Sequence, residues 1–353
     1  MKKTMVWVVL FTLICFSVGL MAQAKPEKKL SKEATQLLKD CQTAFQAKDF
    51  AKATELLKKV IALEPDYAPA HYNLGIVENQ AGNVDQAIIH VSDAIKLKPD
   101  YEQAKRGLNV IYYEAGHKAN ADKEYAKSND YFMKFLAATT PEGEYKTAVV
   151  DAYSKVAFNY FSLKNYPDSA EYFKKCLAVP GLETEKPDLF ANCYYFLGMN
   201  THAMMEYTES RDFFQKYIEL YKGKETESQF IGNAHYFVGI NMLRLLEKKI
   251  EAKETPEQIA TAAKEIIPVL TKAMEMQVQL EDAYIALGNT YIHARDFENA
   301  KKVYGQVIDR YPQSPNVAQY KKLLTDLDNQ IKARDEAAKK PAARTKRKTT
   351  TAK

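Results

Sequence analysis

Val60-Ile61-Ala62-Leu63-Glu64-Pro65-Asp66-Tyr67 comes back further along the chain as Ala94-Ile95-Lys96-Leu97-Lys98-Pro99-Asp100-Tyr101, and Ala53 comes back as Ala87 with the same shift. Within each copy the apolar residues keep helical spacing: Leu56, Leu57, Val60 and Ile61 in the first, Ala87, Ile88, Val91, Ala94 and Ile95 in the second. Pro65 and Pro99 close these helices, because a proline ring clashes with a preceding residue held in helical geometry. A two-helix unit of about 34 residues, ended by proline, has the period of a helical solenoid. One such unit cannot bury its own apolar face, so neighbours must stack.

The rest of the 353 residues agrees with that reading. Glycine and proline number only 13 each, too few for an all-β chain of tight turns, and 23 Tyr with 16 Phe speak against disorder. No two glycines lie closer than seven residues, which excludes the clustered glycines of dinucleotide- and phosphate-binding loops. There is no G-x-S-x-G elbow and no H-E-x-x-H pair. His71, His90, His117, His202, His235 and His293 are each more than four residues from another His or Cys, so no helix carries a ready His/Cys ligand pair and no metal or cofactor is expected. Glu281-Asp282 are adjacent, point to different helix faces and suit a solvated surface better than acid–base chemistry. The expectation is a chain that is not an enzyme.

The small and aromatic positions of the units resemble the tetratricopeptide repeat, W-x2-L-G-x2-Y…A-x3-F…P. Tyr284, Leu287-Gly288, Tyr291, Phe297, Ala300, Tyr304 and Pro312 give the best copy, followed by His71, Leu74-Gly75, Gly82, Ala87, Ala94 and Pro99. Tyr194, Leu197-Gly198, Tyr207, Ser210 and Phe214 form another; Val238-Gly239 with Ile266, Leu270 and Ala273 form one with a lengthened turn. Tyr153, Val156-Ala157, Tyr160, Ser169 and Phe173 make a fifth, and Cys41 stands in the glycine slot of the first. The unit around Leu108–Thr140 is degenerate; Asn109 is taken as its equivalent of Gly75, with an insertion before Ala157. The resemblance implies an all-α fold, an α-solenoid of about seven helix-turn-helix repeats wound as a right-handed superhelix. The units fall at 34–67, 68–101, 102–143, 149–182, 191–224, 232–277 and 281–314.

Both ends read differently. Lys2 and Lys3, the apolar run Met5–Leu20 and Ala22-Gln23-Ala24 form a secretory signal over 1–24, followed by a short linker over 25–33. An exported protein of a periplasm or cell envelope is expected; the alternative is an inner-membrane anchor through residues 5–22. Leu323, Leu324, Leu327 and Ile331 mark a capping helix over 315–338. Residues 339–353 carry +7 and are expected to be a disordered basic tail, so the body from Lys25 to Ala338 carries −4 and its surface is not a nucleic-acid-binding one. Cys41, Cys176 and Cys193 are an odd set after export, read as buried hydrophobes, with a Cys176–Cys193 bridge left open.

In this family the first helices of successive repeats line a concave groove. On that side stand Ser154, Phe158 and Phe161; then Asn192, Tyr195, Met199 and His202; then Asn233, Tyr236, Ile240 and Leu243. Each set runs at alternating three- and four-residue spacing and forms one helical stripe. The stripes are either packing between neighbouring first helices or an aromatic groove for an extended peptide or partner helix, with Asn192 and Asn233 able to hold backbone amides. A carboxylate clamp for an acidic tail is absent, since the first two units offer Leu38, Gln42, Tyr72, Asn73 and Ile76 there. The expected role is a protein-binding scaffold or adaptor, with a homo-oligomer left open. The alternative is a tether that grips an anionic surface through the basic tail.

Overall fold

The proline-closed helices of the sequence are helices in the computed structural model, which describes residues 30–348 apart from 225, 227–229 and 277–279. Among the described residues there is no strand. The chain divides into a first compact unit ending at Leu163 and a second beginning at Lys164. The first holds α1 (Lys32–Gln46), α2 (Phe50–Leu63), α3 (Ala68–Gln80), α4 (Val84–Leu97), α5 (Glu102–Ala121), α6 (Tyr125–Ala137) and α7 (Lys146–Ser162). The second holds α8 (Tyr166–Leu177), α9 (Pro187–Ala203), α10 (Tyr207–Leu220), α11 (Ile231–Glu251), α12 (Pro256–Glu275), α13 (Glu281–His293), α14 (Phe297–Arg310) and α15 (Val317–Lys348). Each helix packs on the next in sequence within its unit, as an all-α solenoid of helix pairs requires. The stretch expected to be a signal sequence and the end of the basic tail lie outside the described residues. No helix among those residues is long and apolar enough to cross a membrane.

Local chemistry starts the helices where the sequence places them. Ser31, Asp49, Asn165 and Asp296 each accept the backbone N–H of the third residue onward, and Thr255 forms a reciprocal capping box with Gln258. The turn inside each pair uses one left-handed residue at a fixed place: Lys48, Gly82, Lys123, Lys164, Met205, Lys253 and Arg295, with φ from 58° to 86°. Only Gly82 of these is a glycine, so six residues with side chains hold a conformation that costs about 1 kcal/mol or more each.

The close contact within each pair is made at the glycine slot. A Cβ on Gly198 would sit 2.8 Å from the Phe214 ring, one on Gly116 would sit 2.8 Å from Phe132, and one on Gly288 would sit 2.6 Å from Tyr304. Val91 lies against Gly75 and Leu270 against Gly239 in the same way. Phe132 and Phe214 are fully buried as a result, a gain of roughly 1.5–3 kcal/mol each.

This contact corrects the reading of the degenerate unit. The equivalent of Gly75 is Gly116, which takes Phe132 and whose carbonyl accepts the Ser128 hydroxyl at 2.8 Å; Asn109 lies two turns earlier on α5. Gly75, Gly116, Ala157, Gly198 and Gly239 then follow one another at one constant interval, seven positions longer than the step from Pro65 to Pro99. Seven residues are about two helical turns, so the insertion returns the same face to the core.

Three other expectations are refined. The lengthened stretch between Gly239 and Ile266 is taken up by the helices α11 and α12 themselves, and the turn between them stays short. Glu281 is not merely solvated: its Oε1 accepts from Ser314 Oγ at 2.6 Å and Tyr320 OH at 2.7 Å, tying α15 to α13. The capping helix has Tyr320 and Leu327 buried, as its apolar spacing required, but it continues to Lys348 instead of ending at Ala338. Alanine, lysine and arginine in that stretch are strong helix formers. Cys41, Cys176 and Cys193 are buried and form no disulfide; burial pushes the Cys41 thiol up to about 11, and the hydrogen bond that the Cys193 thiol makes with Cys176, followed by burial, raises that of Cys193.

Two substitutions of opposite sign test this geometry. Met205, 68% exposed at φ 62°, should stabilise the chain by about 0.5–1 kcal/mol when changed to Gly, because the left-handed strain exceeds the added freedom of the unfolded chain. Gly198→Ala should lose about 1–2 kcal/mol despite alanine's better helix propensity, because the Phe214 ring has nowhere to move. Urea unfolding followed by circular dichroism reads both.

Candidate binding face

The stripes belong to the first helices of the pairs. In the second unit α9 presents Asn192, Tyr195, Met199 and His202, and α11 presents Asn233, Tyr236, Ile240 and Leu243. They are not equally open. Tyr195 is only 6% exposed, with ring neighbours Phe214 at 5.5 Å, Tyr217 at 5.3 Å and Phe230 at 5.0 Å, the last stacked. Burial pushes its phenol up, against a smaller opposite pull from a hydrogen bond with Asn233. Tyr195 is therefore packing between α9, α10 and α11, and Leu243 is buried in the next cluster, with Ile259, Ile266 and Leu270 of α12 and Tyr284 of α13. Asn192, Met199, His202, Asn233, Tyr236 and Ile240 are half-buried. Tyr236 rests on Ala273 and Ala283 beside Phe237, and burial, then Asp282, raise its phenol. In the first unit Phe158 and Phe161 of α7 are half-buried and Ser154 is buried.

Two slots of the stripe join neighbouring first helices. The residue three before the glycine slot meets the residue six before the next one: Tyr113 OH donates to Asp151 at 2.9 Å, and Tyr195 bonds Asn233. His117 Nε2 lies 2.8 Å from the same Asp151, where its N–H can donate to the carboxylate. Burial would raise the Asp151 carboxyl, but hydrogen bonding and charge from His117, then Tyr113, leave it below its ordinary value.

Below the stripe runs a buried polar ladder that the sequence analysis missed. Ser210 Oγ donates to the Gly198 carbonyl at 2.7 Å, and Asn241 Nδ2 of the next repeat donates to Ser210 Oγ at 2.7 Å. Asn241 Oδ1 faces His202 Nδ1 at 2.6 Å, so that ring nitrogen carries the proton. The same positions in the first unit hold Ser128 on Gly116, Asn159 on Ser128 at 3.0 Å, and Asn120 on Asn159 Oδ1. Asn200 donates to Ser169 at 2.9 Å, but its Oδ1 has no partner among the described residues. The sequence signal was present: Ser128, Ser169 and Ser210, and Asn159, Asn200 and Asn241, recur at the same interval as Gly116, Ala157 and Gly198. His202 is thus a rung of the ladder before it is a groove residue.

Paired helices of this length, a left-handed residue in each inner turn and a small residue under the second helix's side chain match the tetratricopeptide-repeat family over residues 44–111 and again over 282–314. This chain is a tetratricopeptide-repeat protein. Among solved structures it is similar to the C-terminal part of a TPR repeat-containing protein from Cytophaga hutchinsonii, at 14% identity and TM-score 0.43 over 80% of this chain and 98% of that one. The pilF structure of Pseudomonas aeruginosa gives 14% and 0.39 over 72% and 96%, and a MamA protein gives 20% and 0.34 over 56% and 96%. No curated protein sequence matches the chain.

Two variants separate packing from surface on this tetratricopeptide-repeat face. Tyr195→Ser should lower unfolding free energy by roughly 3–5 kcal/mol through the cavity it leaves, and Tyr236→Ser by clearly less. His202→Leu should cost about 1–3 kcal/mol by orphaning Asn241 Oδ1, whereas His202→Asn, the residue type at Asn120, should recover most of the loss.

Proposed function

We propose that this tetratricopeptide-repeat protein is a non-catalytic interaction scaffold that takes an extended peptide or a partner helix along the first helices of its second unit. The observation that carries the reading is the half-open row Asn192, Met199, Asn233, Tyr236 and Ile240. It places amides that can hold a peptide backbone beside apolar and aromatic surface that gains from being covered. Repeats of this family generally bind protein partners. The charged basic helix end is the competing contact, favoured by its +7 charge. We place the protein in the periplasm or cell envelope, on the strength of the n-region, apolar run and Ala22-Gln23-Ala24 of its leader.

Chemical crosslinking in the native host, followed by affinity measurement with the captured partner, tests the reading. Tyr236→Ser combined with Ile240→Ser should weaken binding by more than about 2 kcal/mol with a folded, helical chain. Unchanged affinity in that variant, with binding lost on removing Lys339–Lys353, would favour the anionic-surface tether instead. Mass spectrometry of the mature protein should find Lys25 first; an intact Met1 in the inner-membrane fraction would favour the anchor.

A further inference from the structure

His71 on α3 and His90 and Asp93 on α4 meet within one helix pair of the first unit, and one ligand atom of each lies within 4.8 Å of the other two. His90 and Asp93 are three residues apart and share a face of α4. All three side chains are half-buried. His71 decides the chemistry. Its Nε2 stands 3.0 Å from the Pro65 carbonyl, which can only accept, so Nε2 carries the proton of the neutral ring. Nδ1 is left as a lone pair, buried and without a donor among the described residues. An uncompensated buried acceptor ordinarily costs about 1–3 kcal/mol. A backbone carbonyl that holds one ring N–H while the other nitrogen faces further ligands is how proteins orient metal-binding histidines.

We propose that His71, His90 and Asp93 form a binding site for a divalent transition cation, zinc by ligand set, with a fourth position open to water or an incoming ligand. Two imidazoles and one carboxylate form a three-ligand set of the kind that leaves zinc an open position. Tetrahedral bonds of about 2.0–2.1 Å put ligand atoms roughly 3.3 Å apart. The present separations, up to 4.8 Å, close by side-chain rotation of half-buried groups. Asp93 accepts Lys96 Nζ at 2.9 Å, but Lys96 is largely exposed and gives little up by turning to water. The other charged groups that His90 senses are Glu78 and Lys58, which oppose one another.

The test uses the full, untagged chain, stripped with a chelator and titrated with Co²⁺ as a spectroscopic substitute for zinc. Visible bands of a four-coordinate ion should saturate at one equivalent, and Zn²⁺ should bleach them. His90→Gln and Asp93→Asn, each with unchanged circular dichroism, should weaken Co²⁺ binding by more than about tenfold; His293→Gln should not. Asp93 is a surface position, so its variant remains informative even where His90→Gln perturbs folding. Absence of four-coordinate bands in the parent chain, or bands that persist at full affinity in Asp93→Asn, would overturn the site.

Discussion

The side chain that a second helix lodges on the small residue of its own first helix is the contact from which the rest follows. A glycine in a helix costs about 1 kcal/mol relative to alanine, and here that cost lets Phe132, Phe214 and Tyr304 lie flat on a neighbouring backbone. The separation along the chain across this contact is almost invariant: Gly75 to Val91, Gly116 to Phe132, Gly198 to Phe214 and Gly288 to Tyr304 all span the same interval. Everything inside a pair is therefore fixed, including the left-handed turn residue seven positions after the slot. Variation is pushed into the connections between pairs. Only Gly239 to Leu270 departs, and there α11 grows past its slot while Lys253 still makes the turn.

The polar ladder does for successive pairs what the glycine contact does within one. A serine hydroxyl that donates to a helix carbonyl spends its only proton, so its lone pairs are left for the asparagine of the next repeat. Asn241 in turn needs an acceptor for its amide and a donor for its carbonyl, and Ser210 and His202 supply them. Apolar stacking alone is tolerant of sliding by a fraction of a turn. A fully paired buried amide is not, because any slip orphans it at about 1–3 kcal/mol per group. The first two pairs and the last two lack the serine, with Ala53, Ala87, Ile266 and Ala300 in its place, and are joined to their neighbours by packing and by less buried contacts such as Asn79 Nδ2 to Glu114 at 3.0 Å and Tyr320 OH to Glu281 at 2.7 Å.

What could be read from the sequence was whatever repeats in residue type. The return of Pro65-Asp66-Tyr67 as Pro99-Asp100-Tyr101 gave the helix pairs, and the Leu-Gly and Val-Gly dipeptides gave four of the five close contacts. That first interval itself concealed the fifth: laid from Gly75 it lands on Asn109, while Gly116 stands seven positions on, where helical periodicity cannot distinguish the two faces. The basic segment was misjudged for a related reason, since low complexity was weighed above the helix propensity of its Ala, Lys and Arg. His71, His90 and Asp93 were invisible to a search for His/Cys pairs on one helix. The two histidines are brought together only by the hairpin between α3 and α4, and the third ligand is a carboxylate. The partial opening of the stripe was not legible at all, because identical slots differ in burial.

That difference has a cause in connection length. Tyr195 and Tyr236 occupy the same position relative to Gly198 and Gly239, yet only Tyr195 is sealed. The connection from Phe214 to Gly239 is seven positions longer than the one from Leu270 to Gly288, and it brings Phe230 to stack 5.0 Å over the Tyr195 ring. The shorter connection lacks those seven residues, and Tyr236 keeps Phe237 as its ring neighbour at 5.3 Å. The inserted heptad thus acts as a cover for the first-helix face of the repeat before it. Reversion to the shorter connection after α12 leaves Tyr236 without such a cover, so in this unit the exposure of that one slot follows the length of the connection rather than the residue type that fills it.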